Sequence, residues 1–276
     1  MSGVPRAQEW IDGCATLISR RGHRIAFRRR GQGPTVLMLH GFPTWSYDYA
    51  EVAGDLASDH DVITLDFLGY GASDKPNPYE YSVAESADVV EDLAAHLQYG
   101  GIVGQELIDR AQGGRLGFTI DSLVVLNSEI VYSAYRPTRM QKLLILPVIG
   151  RLLAGRITPG RFRSALDGVR GSKIADTEFD DLCYGVSRQG GHQLAHRHIR
   201  YNAERAAHHR RWDKALAGGD GPLHLVWGLD DPVSGRHVLE QATAVLPHAE
   251  VTELPGVGHY PQSEAPQAVA TAVRTR

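Results

Sequence analysis

Short apolar runs set off by turn-rich polar stretches govern this chain. Val36–Leu39 is four apolar residues, followed by His40-Gly41-Phe42-Pro43-Thr44-Trp45. This pattern predicts a buried strand of a parallel sheet that ends in a sharp turn. Val62-Ile63-Thr64-Leu65 reads as the next buried strand, running into the turn-rich stretch 66–76. Upstream, Ala15–Ser19 and His23–Arg29 flank Arg20-Arg21-Gly22, the pattern of a hairpin at a sheet edge. Tyr47 to Leu56 reads as a helix with Ser46 as N-cap. Ser82, with Glu85 three residues later, predicts a capping box. Val89, Val90, Leu93, Ala94 and Leu97 follow at helical spacing.

The rhythm then breaks. An α/β chain should supply another apolar strand after Leu97. Instead Gln98 passes into a second helical pattern over residues 99–110. Strand patterning resumes at Ile120–Leu126 and ends at Asn127-Ser128. From Tyr132 to Ala217 the segments are helical and rich in Arg and His, with no buried-strand pattern. We expect an inserted helical lid over 132–217 on a core formed by 1–131 and 218–276. The α/β pattern returns with strand Leu223–Trp227, loop 228–233, helix Arg236–Leu246, strand Glu250–Leu254, loop Pro255–Tyr260 and a helix near Gln267–Val273.

The loops after the last two strands carry the chemistry. Asp231 precedes Pro232 in one and His259 lies in the other. Loops leaving successive parallel strands meet at one sheet edge, so a carboxylate and an imidazole converge there. Asp230 is the alternative acid. Gly41 allows the turn after Val36–Leu39 to fold back, so that the Phe42 N–H can face a developing oxyanion.

The bulk numbers narrow the setting. The chain has 276 residues, 42% hydrophobic, enough for one large α/β core with an insertion. A net charge of −3 gives no general pull toward nucleic acid or an anionic membrane. No apolar run approaches the roughly 20 residues of a membrane span. The first ten residues lack the apolar stretch of a secretory signal, which predicts a cytoplasmic protein. Cys14 and Cys183 show no metal or redox spacing; free thiols are expected, though spacing leaves a bridge open. His192, His196, His198, His208 and His209 lack a carboxylate or Cys that would complete a metal motif, so a solvated basic face is expected and no metal or cofactor.

These stretches together resemble the α/β-hydrolase fold superfamily, its epoxide hydrolase and haloalkane dehalogenase group, and within it the mesoderm-specific transcript homologues. The resemblance rests on His40-Gly41-Phe42-Pro43-Thr44 with Ser46-Tyr47-Asp48; Leu65 to Gly71 with Ser73-Asp74-Lys75-Pro76; Val103 with Gln105-Glu106-Leu107; Gly228 with Asp231-Pro232-Val233; and His259-Tyr260-Pro261-Gln262. It implies a mostly parallel sheet flanked by helices, with a helical cap. It implies a small-molecule ester or epoxide substrate, Asp231 as the acid that orients an imidazole, and His259 as general base. It implies oxyanion donors at the Phe42 and Tyr99 N–H groups. It also puts His40, Trp45 and Tyr201 on the substrate side; a cap Tyr near this place donates a proton to the opening ring in the epoxide hydrolase group.

The departure from that pattern is at the nucleophile. The family places strand, sharp turn, nucleophile and helix in succession. Here Tyr99-Gly100-Gly101 matches the helix side, and the nucleophile position holds Gln98. A Gln amide is no nucleophile, because its nitrogen lone pair is delocalised. The preceding strand is missing too, and no Gly-x-Ser-x-Gly, Gly-x-Asp-x-Gly or Gly-x-Cys-x-Gly occurs elsewhere. The sequence thus supports a hydrolase of small esters or epoxides, with a non-catalytic binding module or a defective copy as the alternative.

Overall fold

A computed structural model describes residues 6–97, 104–128, 130–219 and 221–276. Seven strands are present among them: β1 (Ala15–Ile18), β2 (Arg24–Arg30), β3 (Thr35–Leu39), β4 (Asp61–Leu65), β5 (Leu123–Leu126), β6 (Leu223–Gly228) and β7 (Glu250–Leu254). The expected edge hairpin is there, with β1 and β2 antiparallel. β3 and β4 are parallel, as are β5, β6 and β7. β5 is shorter than the patterning of Ile120–Leu126 predicts. It begins where the Leu123 N–H reaches the Pro222 carbonyl.

The strands form two separate sheets, in the orders β1-β2-β4-β3 and β5-β6-β7. Among the described residues no ladder joins β3 to β5. The register shows which groups face the divide. The Asp61 N–H donates to the Pro34 carbonyl, so by strand alternation the backbone of Val36 and Met38's even-numbered set faces β4, and that of Leu37 faces away. The Tyr49 hydroxyl donating to the Leu39 carbonyl at 3.0 Å fits the same alternation. On the other side, the Leu123 N–H donates to the Pro222 carbonyl just ahead of β6, so Val124 faces the divide.

Side chains hold the halves together. Met38 and Val62 of the first sheet share one buried cluster with Val226 of the second, roofed by Val52 and Leu56 of helix Ala50–Leu56 and Val269 and Ala270 of helix Pro266–Arg274. Arg274 ties those two helices through Asp55 and Asp59. The opposite face is divided. Leu37, Ile63 and Leu65 pack on Val89, Val90 and Leu93 of helix Val83–Leu97. Leu225 and Trp227 pack on Val238, Leu239 and Ala242 of helix Arg236–Val245.

Local expectations fare unevenly. Ser46 does not cap a helix by its side chain: a 3₁₀ turn, Ser46–Tyr49, precedes Ala50–Leu56, and the Ser46 hydroxyl instead accepts the Trp10 indole N–H at 3.0 Å. Trp10 belongs to a helix, Arg6–Asp12, too short for periodicity to reveal. The Ser82 box is half made. The Glu85 N–H donates to Ser82 Oγ at 3.0 Å, but the Glu85 carboxylate accepts the Tyr79 hydroxyl. The helix expected over 99–110 is observed as Gly104–Gln112; residues 98–103 lie outside the described residues. Residues 132–217 contain helical segments, the longest Tyr201–Ala217. A polar network fastens that helix to Gly104–Gln112: Glu106 accepts from the Trp212 indole at 2.8 Å and from Arg211 at 2.5 Å.

The divide between the sheets generates a backbone prediction. In hydrogen–deuterium exchange, the amides of Leu37 and Val124 should exchange faster than those of Met38 and Val125, their ladder-bonded neighbours. Equal protection at all four positions would mean that the two sheets are bridged.

Candidate active site

β6 and β7 end side by side, and the loops that follow them come within bonding distance. Gly228 makes this possible: a Cβ there would lie 2.1 Å from the Gly258 carbonyl oxygen. Backbone bonds then stitch the loops, Leu229 N–H to Leu254 and Asp230 N–H to Val257. The result brings His259 Nδ1 to 2.7 Å from Asp231 Oδ2. Asp230, the alternative acid, is exposed.

Asp231 is buried, with its side chain at 0% exposure. Burial alone would push its carboxyl up. The bonds from His259 and Ser234 and from the Val233 N–H outweigh it and hold the carboxyl below its ordinary value. Asp231 Oδ1 accepts the Val233 N–H at 2.8 Å, and Oδ2 lies 2.6 Å from Ser234 Oγ and 3.2 Å from Asn127 Nδ2. An anionic Oδ2 facing Nδ1 selects the tautomer with its proton there, leaving Nε2 as the basic nitrogen.

Asn127 and Ser234 are the residues that sequence reasoning did not single out. Asn127 sits just past β5 with φ of 26°, a conformation Asn tolerates better than most residues. Its side chain brackets Gly228, accepting the N–H at 2.5 Å and donating to the carbonyl at 2.8 Å. One amide thus joins the ends of β5 and β6 and reaches the acid. A polar residue directly after a buried strand was the available signal.

A cavity of about 440 Å³ opens beside His259. Leu39 and Leu126, the last residues of β3 and β5, both line it, together with Phe42, Tyr201, His259 and Tyr260. It therefore lies at the divide between the two sheets. Phe42 and Tyr201 face one another with ring centroids 6.3 Å apart. Burial raises the Tyr201 hydroxyl well above its ordinary value, with Tyr135 and Tyr70 adding to it. His40 also lines the cavity, but both its nitrogens are engaged by backbone: Nε2 accepts the Phe67 N–H at 3.1 Å and Nδ1 meets the Gly41 carbonyl at 3.0 Å. Its contribution to a ligand is therefore shape, and burial keeps it neutral by lowering its pKa. Trp45 corrects the expectation placed on it. It is absent from the cavity wall, fully buried, stacked on Tyr47, and its indole N–H donates to the Leu182 carbonyl at 3.1 Å. Gln98 and Tyr99, the expected nucleophile position and second oxyanion donor, lie outside the described residues.

Comparisons with known proteins identify the family and the fold. The signature described as "Alpha/beta hydrolase family" matches residues 36–272. The chain belongs to the alpha/beta hydrolase family. Among members of this family, it is 36% identical to the putative hydrolase LipZ of Mycobacterium tuberculosis, over 97% of this chain and 96% of that one. It is 36% identical to the human mesoderm-specific transcript homolog protein, over 88% of this chain and 78% of that one. Among solved structures, a haloalkane dehalogenase variant of Bradyrhizobium elkanii shares this alpha/beta hydrolase fold with a TM-score of 0.78 at 19% identity, covering 95% of each chain.

Both cysteines have free thiols. Burial, with Asp66 nearby, pushes the Cys14 thiol up to about 12, and burial raises Cys183 as well. Neither is activated as a nucleophile.

Two measurements test this arrangement. Asn127→Ala strips the Gly228 N–H and carbonyl of their partners and should cost about 3 kcal/mol, read as a lower urea midpoint at unchanged m. A loss below 1 kcal/mol would mean that Asn127 does not fasten the strand ends. Asp48 supplies a pH test. It is buried and bonded by Thr44 and Gln262; burial pushes its carboxyl up to about 7, against Thr44, Gln262 and Arg170. Folding therefore favours its protonated form, so its contribution is full below the unfolded value near 4 and lost as pH rises toward 7. Asp48→Asn should match the parent at pH 4 and exceed its stability by about 3–4 kcal/mol above pH 7. A pH-independent difference would refute the buried neutral carboxyl.

Proposed function

We propose that this chain binds a small neutral ester or epoxide in the cavity beside His259 and lacks the covalent step of its family. The helices of residues 132–217 act as the lid over that cavity, with Tyr201 on its inner side. In this reading Asp231 orients and charges His259, and His259 is the base. The Phe42 N–H is one oxyanion donor; the family's second, at the Tyr99 N–H, depends on the elbow turn.

The observation that carries the proposal is the divided sheet with the cavity at its seam. A strand ending in a nucleophile elbow would sit between β3 and β5, and those two strands are unpaired with each other. Covalent catalysis needs a nucleophile that His259 can activate or that carries its own charge. Among the described residues, no hydroxyl, thiol or carboxylate hydrogen-bonds His259 Nε2; its side-chain partners, Asp231 and Ser234, are both on Nδ1. Gln98 at the matching position supplies none. Loss of the elbow also withdraws the turn that would hold the Tyr99 N–H in place.

The purified chain should show no turnover of short-chain nitrophenyl esters or simple epoxides above its His259→Ala variant. A version with a strand and an Asp elbow inserted between Leu97 and Tyr99 should gain His259-dependent turnover. A general base contributes about 10²–10⁴-fold, so activity of the unmodified chain that falls by that factor in His259→Ala would overturn the proposal. The ester should nevertheless bind, raising the unfolding temperature in a saturable way.

A further inference from the structure

The lid segment carries an apolar surface that the cavity does not use. Helices Arg139–Leu144 and Pro147–Ala154 form a short hairpin. Thr138 and Gln141 cap the first reciprocally, and Pro147 opens the second. Gly150 lets the two close on each other, because a Cβ there would lie 1.9 Å from the Leu144 carbonyl oxygen. The inner side is satisfied: Leu144 and Ala154 are buried with Ala195 and Ile199, packed against Phe42 and Tyr201.

The outer side is not. Ile145, Leu146, Pro147, Val148 and Ile149 are consecutive and all exposed. Val148 is 72% exposed, and Leu152 on the next turn is 53% exposed. Single exposed apolar side chains are ordinary, but a contiguous apolar tip marks a surface that meets something.

Charge identifies the partner. From Arg136 to Leu166 the chain has seven Lys and Arg and no Asp or Glu, within a protein of net charge −3. Arg139, Lys142, Arg151 and Arg156 are exposed on the hairpin beside the tip. An apolar tip ringed by cations complements a bilayer bearing anionic lipid. The tip enters the acyl boundary while the cations meet headgroup phosphates. A second copy of the chain fits poorly, since a two-fold contact would set one cationic ring against the other. The tip is wholly aliphatic and lacks the Trp and Tyr that anchor protein interfaces.

We propose that the Arg139–Ala154 hairpin docks the protein on anionic lipid surfaces. It lies in the headgroup zone: among the described residues no helix is long and apolar enough to cross a membrane. This inference is independent of whether the chain turns over a substrate.

Flotation of the full chain with vesicles tests it. Phosphatidylcholine vesicles containing phosphatidylglycerol should bind the protein at least about tenfold more tightly than phosphatidylcholine alone, and salt should weaken the binding. Val148→Glu with Ile149→Glu, and separately Lys142→Glu with Arg151→Glu, should each reduce binding at least about tenfold. These positions are exposed, so circular dichroism and melting should be unchanged; the salt series on the unaltered chain tests the charge component without any substitution. The proposal is overturned if anionic lipid brings no increase, or if both variants bind as the parent does. It is also overturned if light scattering shows a dimer that the Val148→Glu, Ile149→Glu change dissolves, which would assign the tip to a second copy.

Discussion

One layer of buried apolar side chains spans the divide between the two sheets of this molecule. Two sheets that share no ladder among the described residues share a core face, in which Met38 and Val62 meet Val226 beneath two helices. Backbone pairing usually aligns neighbouring strands and side-chain packing adds cohesion. Across this divide packing must do both. It is also non-directional, so the relation between the β3 turn and the β6 and β7 loops depends on how well that single layer interlocks. The cavity, lined from both strand ends, inherits its shape from the same layer.

The acid–imidazole pair avoids this dependence. Asp231 and His259 lie on loops of one sheet, stitched by Leu229 and Asp230 and bracketed by Asn127 from the neighbouring strand of that sheet. Its geometry therefore stands apart from the division. Phe42 belongs to the other sheet. Its distance from His259 is where the divided architecture bears on chemistry, since an oxyanion donor and a base must serve the same reacting atom.

Much of this was legible in the sequence because strands and loops are written locally. Four-residue apolar runs gave β3 and β4, and the polar loops after β6 and β7 gave Asp231 and His259. The remainder depended on partners distant in the chain. Trp45 stands in the turn motif, yet its indole N–H is claimed by Leu182, far along the sequence, in the core. Ser46 has the side chain of a cap, but Trp10 takes its hydroxyl. His40 lines the cavity with both nitrogens already engaged by backbone. The Asn127 bracket depends on strand order, which periodicity does not encode. Net charge likewise concealed the cationic hairpin, because acidic residues elsewhere cancel it.

The Ser234 hydroxyl has a consequence of its own. It holds one proton and has two acceptors, Asp231 Oδ2 at 2.6 Å and the Asn127 carbonyl at 2.9 Å. The same heavy atoms therefore support two proton arrangements, separated by a single torsional rotation of the hydroxyl. Turned to Asp231, the proton withdraws electron density from the oxygen that faces the imidazole; turned to Asn127, it leaves that oxygen richer. The two arrangements place different fields on His259 while the backbone stays the same.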